Sequence, residues 1–188
     1  QKGSLTKKGI TKTWGEADEN FKKKWEKYGH SFEGKNYKQY VIDLQPKSII
    51  DIGCGWNEFC EAMKNAGIFN CIGIDCSCPG ADIIASAHDI PVEDKSYDLL
   101  VSFDCMEHIP EEEVLDSFKE FARISERMFI KVALAETTTF IDGETLHTCV
   151  QPTKWWLEQA EKYFNIKSEE VKHPNPARNH VIIYGDAK

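Results

Sequence analysis

No stretch of this 188-residue chain approaches the ~18 consecutive apolar residues of a membrane span, and no signal-peptide pattern opens it. A membrane protein is therefore not expected. A basic excess is missing too. Lys and Arg number 23 against 31 Asp and Glu, a formal net charge of −8, so the molecule as a whole repels polyanions. That argues against a basic nucleic-acid-binding module. The seven cysteines are odd in number and irregular in spacing, which excludes a secreted disulfide scaffold. They read as reduced thiols of a cytoplasmic protein. Cys71, Cys76 and Cys78 cluster, but no paired C-x-x-C accompanies them, and no metal site is expected. Internal repeats and low-complexity blocks are also lacking, and the chain opens on Gln1 rather than Met, read as a processed or trimmed start. What is present is enough for one globular domain: 41% hydrophobic and 11% aromatic residues argue against disorder.

The charge is unevenly spread. Residues 1–40 hold ten Lys against five acids, leaving 13 basic and 26 acidic residues beyond, so the split is +5 against −13. The first dozen residues lack periodicity and read as a tail. Thr13-x-x-Glu16 matches a capping box, and Ala17, Phe21, Trp25 and Tyr28 recur at helical spacing, predicting an amphipathic helix over 14–28. Lys22, Lys23 and Lys24 beside Trp25 form either a solvated face or a phosphate contact. A shorter helix is expected around Asn36–Leu44, ahead of Pro46.

From Lys47 onward, apolar strand-length runs alternate with helical patterns. Strands are predicted at 48–52, 70–75, 82–90, 97–103 and 127–134, with helices at 59–66, 111–125 and 152–164. Two last strand candidates, 167–171 and 180–184, have no helix between them, so the final strand should enter antiparallel. Continuous apolar strands with crossover helices mean a parallel sheet covered on both faces. The expected fold is a doubly wound α/β domain over 47–188, with a tail and helical extension over 1–46.

Asp51-Ile-Gly53-Cys-Gly55-Trp-Asn57 sits where the first strand meets its helix. Two glycines let backbone approach a ligand at the carboxyl end of a strand. A dinucleotide fingerprint wants another Gly at position 58, where this chain has Glu58, and its carboxylate would oppose a pyrophosphate. Asp75 ends the second strand, 22 residues after Gly53, placed to accept both hydroxyls of a ribose. Asp89 and Ile90 follow the third strand, where an acid could take an adenine amine and an apolar side chain could pack its ring.

Together these residues resemble the class I S-adenosylmethionine-dependent methyltransferases. Asp51-x-Gly53-x-Gly55 is similar to that family's first motif. Asp75 matches its ribose acid, and Asp89 with Ile90 its adenine pair. The segment from Tyr97 through Phe103, Asp104, Glu107 and His108 to Pro110 resembles the fourth-strand motif of the small-molecule branch, the type 11-like methyltransferases. One departure stands out: the usual third Gly is Asn57, a residue that tolerates positive φ. The resemblance implies a Rossmann-like seven-stranded sheet in the order 3-2-1-4-5-7-6 with the last strand antiparallel. It also implies S-adenosyl-L-methionine as cofactor, held by Asp51, Gly53, Gly55, Asn57, Asp75, Cys76, Asp89, Ile90 and Phe103. Trp14, Trp25 or Tyr28 would belong to a lid.

Candidate catalytic residues are His108 and His147, with Asp104 and Glu107 as carboxylates at the same rim. His108 reads either as a base or as a structural hydrogen-bonding group, and His147 as acceptor-facing or as a surface loop residue. Trp155 or Trp156 could wall a substrate. The expected reaction is methyl transfer to a small-molecule or sugar acceptor, at oxygen. Nucleic acid is not expected as a partner, since no Asn/Asp-Pro-Pro-Tyr/Phe stretch follows the fourth strand. The alternatives are a nucleic-acid or protein methyltransferase using the Lys-rich N-terminus, and a catalytically lapsed cofactor-binding module. The oligomeric state is not legible.

Overall fold

The run Ile49–Ile52 (β3) is buried on both sides of its pleat and lies at the centre of a seven-stranded sheet. The computed structural model describes residues 4–7, 10–13, 33–136, 140–141 and 144–188. The helix expected over 14–28, with Trp14, Trp25, Tyr28 and the Lys22–Lys24 run, lies outside the described residues. Ahead of it, where a tail was expected, Ser4–Lys7 (β1) and Ile10–Thr13 (β2) pair antiparallel.

The sheet continues with Cys71–Asp75 (β4), Ile83–Ile84 (β5), Tyr97–Phe103 (β6), Ser125–Ala133 (β7), Phe164–Val171 (β10) and His180–Ala187 (β11). Between β7 and β10, a minimal hairpin pairs Phe140–Ile141 (β8) with Glu144–Thr145 (β9), inside a segment read as irregular loop. The sheet order is β10-β11-β7-β6-β3-β4-β5. Counted along the sheet strands alone, this is 3-2-1-4-5-7-6. β3 pairs parallel with β4 and β6, and β6 with β7, while β11 runs antiparallel to both its neighbours. The missing crossover between the last two strands has the consequence the sequence predicts.

Among the described residues, the α-helices are Lys38–Asp43 (α1), ahead of β3, and Glu58–Asn65 (α2), Glu111–Ile124 (α3) and Thr153–Ala160 (α4), each after a strand. Alternate strand residues feed two cores, as a two-faced sheet requires. Ile50, Ile52, Leu100, Ile130 and Val132 face α3 and α4, meeting Val114, Phe118, Phe121 and Trp156. Ile49, Leu99, Val101 and Phe129 face α1 and α2, meeting Val41, Phe59 and Met63. Arg123 near the end of α3 donates to Glu120, Asp94 and the carbonyls of Ile90 and Val92, so the loop after β5 is tied to that helix.

Candidate active site

The carboxyl ends of β3, β4 and β6 converge, and each contributes a turn. After β3, Gly53 takes φ 76° and Gly55 φ 55°. A Cβ on Gly53 would fall 2.6 Å from Cys105 Cβ and closer still to its Sγ, so only glycine fits this turn. Asn57 takes φ 65° and ψ 21°, and so supplies the left-handed conformation in place of a third glycine. Its amide donates to Asp82 Oδ2 at 2.8 Å, and the Gly73 N–H donates to the same oxygen at 2.8 Å. Asp82 thereby clamps the turn onto β4.

Asp75 at the end of β4 is 7% exposed. Its Oδ2 accepts the Gly55 N–H at 3.1 Å, and its Oδ1 accepts those of Ser77 and Cys78 at 3.0 and 2.9 Å. One carboxylate therefore sets the shape of both turns. Asp51 is buried in β3, and its carboxyl is pushed up to about 8 by burial and then by the charge of Asp75. Two acids with one raised by the other make a site that favours a cation. The Gly53 cradle and this acid pair together fit a cofactor carrying an ammonium and a sulfonium.

The third turn follows β6. Asp104 sits at φ 50°, uncommon for a residue with a side chain, and Lys131 of β7 donates to both its carboxylate oxygens at 2.7 and 2.6 Å. Met106–His108 form one turn of 3-10 helix. Thr148 and Cys149 donate their N–H groups to the Glu107 carbonyl at 2.9 and 3.0 Å, and Thr148 Oγ1 donates to the His108 carbonyl at 2.8 Å. These bonds draw the loop after β9 onto the turn. His108 Nδ1 meets the Leu146 carbonyl at 2.7 Å, and His147 Nδ1 meets the Ala135 carbonyl at 2.6 Å. A carbonyl only accepts, so each Nδ1 carries the proton and the basic nitrogen of the neutral ring is Nε2. The rings stand edge to face, 4.9 Å apart at 78°. Beside them Glu107 is 0% exposed, its carboxyl raised well above the usual range by burial and by Asp104.

Asp104, Glu107, His108 and His147 are thus gathered into one cluster from segments some forty residues apart. The other sequence candidates divide. Gly53, Gly55 and Asn57 line one turn with Asp51 behind it, Asp75 is bonded to that turn from the end of β4, and Cys76 is half-buried just past Asp75. Asp89 is exposed. Ile90 is 2% exposed and packs in the α3-side core, so it supports the loop and presents little free face. Phe103 stacks on Tyr37 at 5.7 Å and meets Phe59 at 5.1 Å, in the aromatic cluster that seats the N-terminal helical segment on the sheet. Trp156 is fully buried in the core and cannot wall a substrate; Trp155, half-buried, stands at right angles to it. Three residues that shape the site carry no motif: Cys105 under Gly53, Asp82 on the turn, and Lys131 on Asp104. Lys131 had a signal, a lone cation inside the apolar run Met128–Val132, where a charge needs a partner.

A doubly wound sheet in the order 3-2-1-4-5-7-6 with its last strand antiparallel, a Gly-rich turn after its first strand and an acid closing its second is the architecture of a class I methyltransferase, the S-adenosylmethionine-dependent kind. The sequence agrees: the chain belongs to the methyltransferase-domain family, whose model matches residues 24–175. Among curated proteins, no sequence matches it. Solved structures do resemble it in fold. The 1,6-didemethyltoxoflavin-N1-methyltransferase of Burkholderia thailandensis, solved with 1,6-didemethyltoxoflavin and S-adenosylhomocysteine, superposes at a TM-score of 0.73 with 10% identity, covering 100% of this chain and 96% of its own. The PH0226 protein of Pyrococcus horikoshii OT3 gives 0.68 with 15% identity over 88% and 99%. The phosphoethanolamine N-methyltransferase 2 of Haemonchus contortus, solved with phosphomonomethylethanolamine and S-adenosylhomocysteine, gives 0.61 with 14% identity over 90% and 57%. Among the described residues, no helix is long and apolar enough to cross a membrane.

Proposed function

We propose that the protein methylates an oxygen of a small-molecule or sugar acceptor, held against His108 and His147 with Glu107 buried behind them. The observation that carries this reading is the pair of imidazoles, locked edge to face with their basic nitrogens at Nε2, one of them on the turn that follows β6 and the other on the loop docked against that turn.

The bound cofactor supplies an electrophilic methyl group on a sulfonium. The chain supplies position. The Gly53–Asn57 turn would hold the methionine part, with Asp51 and Asp75 favouring its positive charge. Asp75 would also accept the ribose hydroxyls, and Cys76, Asp89 and Phe103 would border the adenosine, with Ile90 packed behind them in the core. Placing two reactants in near-attack geometry is worth ~7–11 kcal/mol, and a base on the acceptor hydroxyl adds on the order of 10²–10⁴-fold. His108 and His147 are suited to that proton because their other nitrogens are already held by carbonyls.

Two measurements test the reading. Calorimetric titration with S-adenosylhomocysteine should show one site per chain, and no heat at high micromolar concentration would sink the cofactor assignment. Transfer of labelled methyl should then reach hydroxylated small molecules. Label appearing only in RNA or protein would refute the acceptor class.

A further inference from the structure

Glu107 has a carboxylate that the reading above leaves unexplained. It is wholly buried, and neither oxygen has a hydrogen-bond partner. The N–H groups of Glu107 itself and of Ala133 favour its charged form without reaching full hydrogen-bond geometry. The neighbouring ammonium of Lys131 grips both oxygens of Asp104. A charge so placed is kept only beside a cation or with a proton bound.

Two imidazoles share the spot. One ligand atom each from Glu107, His108 and His147 lies within 4.8 Å of the other two. A cation with bonds of about 2.1 Å holds its ligand atoms roughly 3.0–3.5 Å apart, so binding would draw the three atoms somewhat closer together. The outer contacts fit as well. Histidines that bind metals donate their other ring N–H to a carbonyl or carboxylate, which fixes ring and tautomer. Both rings here do so, to Leu146 and Ala135.

We propose that Glu107, His108 and His147 form a binding site for a divalent transition-metal cation, through the Glu107 carboxylate and the two Nε2 atoms. Two nitrogens and one carboxylate suit Mn²⁺, Fe²⁺, Co²⁺ or Zn²⁺ better than Mg²⁺ or Ca²⁺, which prefer oxygen alone. Three protein ligands leave coordination positions open, as sites that act on a substrate do. The purpose of the ion rests on the oxygen-acceptor reading above and replaces the base given there, since an Nε2 that holds a metal has no lone pair left for a proton: an open position takes the acceptor hydroxyl, holds it and makes it more acidic. Ion binding itself does not depend on that reading. The expectation of no metal came from cysteine spacing alone; this site uses none of the seven thiols, and His147 reaches it only through the bonds that dock its loop on the Met106–His108 turn.

The test is a titration of the full chain with MnCl₂, without cofactor or acceptor, followed by the electron paramagnetic resonance of free Mn²⁺, and a parallel titration with CoCl₂ followed by absorption. One Mn²⁺ per chain should bind in the micromolar range, and Glu107→Gln and His147→Ala should each weaken it by about tenfold or more. Bound Co²⁺ should show nitrogen and oxygen ligation without a thiolate-to-cobalt band. No stoichiometric binding of either ion at millimolar concentration overturns the proposal. So does a thiolate band, or folded variants that bind as tightly as the parent. Titration with S-adenosylhomocysteine serves as the check of folding for each variant. Its failure in the parent would count against the proposed function and leave the ion result standing.

Discussion

Asp51→Asn should change how stability depends on pH, and the structure sets the size. The buried carboxyl titrates at about 8 against an ordinary 3.8. Between those values the folded protein keeps a proton that the unfolded chain gives up. The stability contributed by this group is fully present below 3.8 and is lost as pH rises toward 8. Relative to a group that does not titrate, the loss is about 1.7 kcal/mol at pH 5 and about 4.3 kcal/mol at pH 7. The amide of Asn has nearly the same shape and no charge to desolvate. Urea denaturation of both proteins, under reducing conditions and without ligand, should therefore show the variant gaining about 2–3 kcal/mol on the parent between pH 5 and pH 7. Other titrating groups are common to both and cancel in the difference. Parallel stability curves would refute the reasoning, because they would mean that Asp51 is charged in the folded protein at neutral pH.

Asp75→Ala should weaken S-adenosylhomocysteine binding by ~1.5–3 kcal/mol, the scale of hydrogen bonds lost from a charged group, and an unchanged calorimetric dissociation constant removes Asp75 from the site. Gly53→Ala should destabilise by ~1–3 kcal/mol, because φ is positive there and Cys105 occupies the space of a Cβ; an unaltered denaturation midpoint would contradict the packing. Lys131→Met should cost about 2–4 kcal/mol by leaving Asp104 without its cation, and Asp104→Asn in the same chain should recover part of that. A double variant no more stable than Lys131→Met alone would show that the pair is not coupled.

Strands β3, β4, β6 and β7 were legible because both of their faces are buried, which writes a continuous apolar run. The end of the chain was harder. The helix was expected to reach Phe164, since Tyr163 and Phe164 extend its apolar pattern, but α4 stops at Ala160 and Phe164 opens β10. The last strand was expected to close at Tyr184, ahead of Gly185. Gly185 lies inside β11 instead, where the β10 backbone at Asn165 approaches too closely for any Cβ. In the site, Asp75 and Asn57 could be read locally because each stands where its neighbours in sequence mark the end of a strand or a Gly-rich turn. Asp82, Cys105 and Lys131 act across strands, and a partner chosen by tertiary pairing leaves no spacing in the sequence. His108 and His147 were each legible as candidates; their meeting depends on hydrogen bonds from Thr148 and Cys149, which no periodicity records.

The acid excess beyond residue 40 now has a local meaning. Asp51 lies beside Asp75, and Glu107 beside Asp104, so two pairs of carboxylates stand at adjoining strand ends. In each pair one member is satisfied from within the fold. Backbone N–H groups from Gly55, Ser77 and Cys78 serve Asp75, and Lys131 serves Asp104. The other member, Asp51 or Glu107, is buried and pushed toward its protonated form. A fold gains nothing in stability from such a group, because neutralising it costs the protein its charge and charging it costs solvation. Both costs fall when a cation arrives. The first pair faces the turn that fits a cationic cofactor, and the second faces the two histidines. The electrostatic asymmetry therefore sets two cation-favouring acid pairs side by side, one at the Gly-rich turn and one at the two histidines.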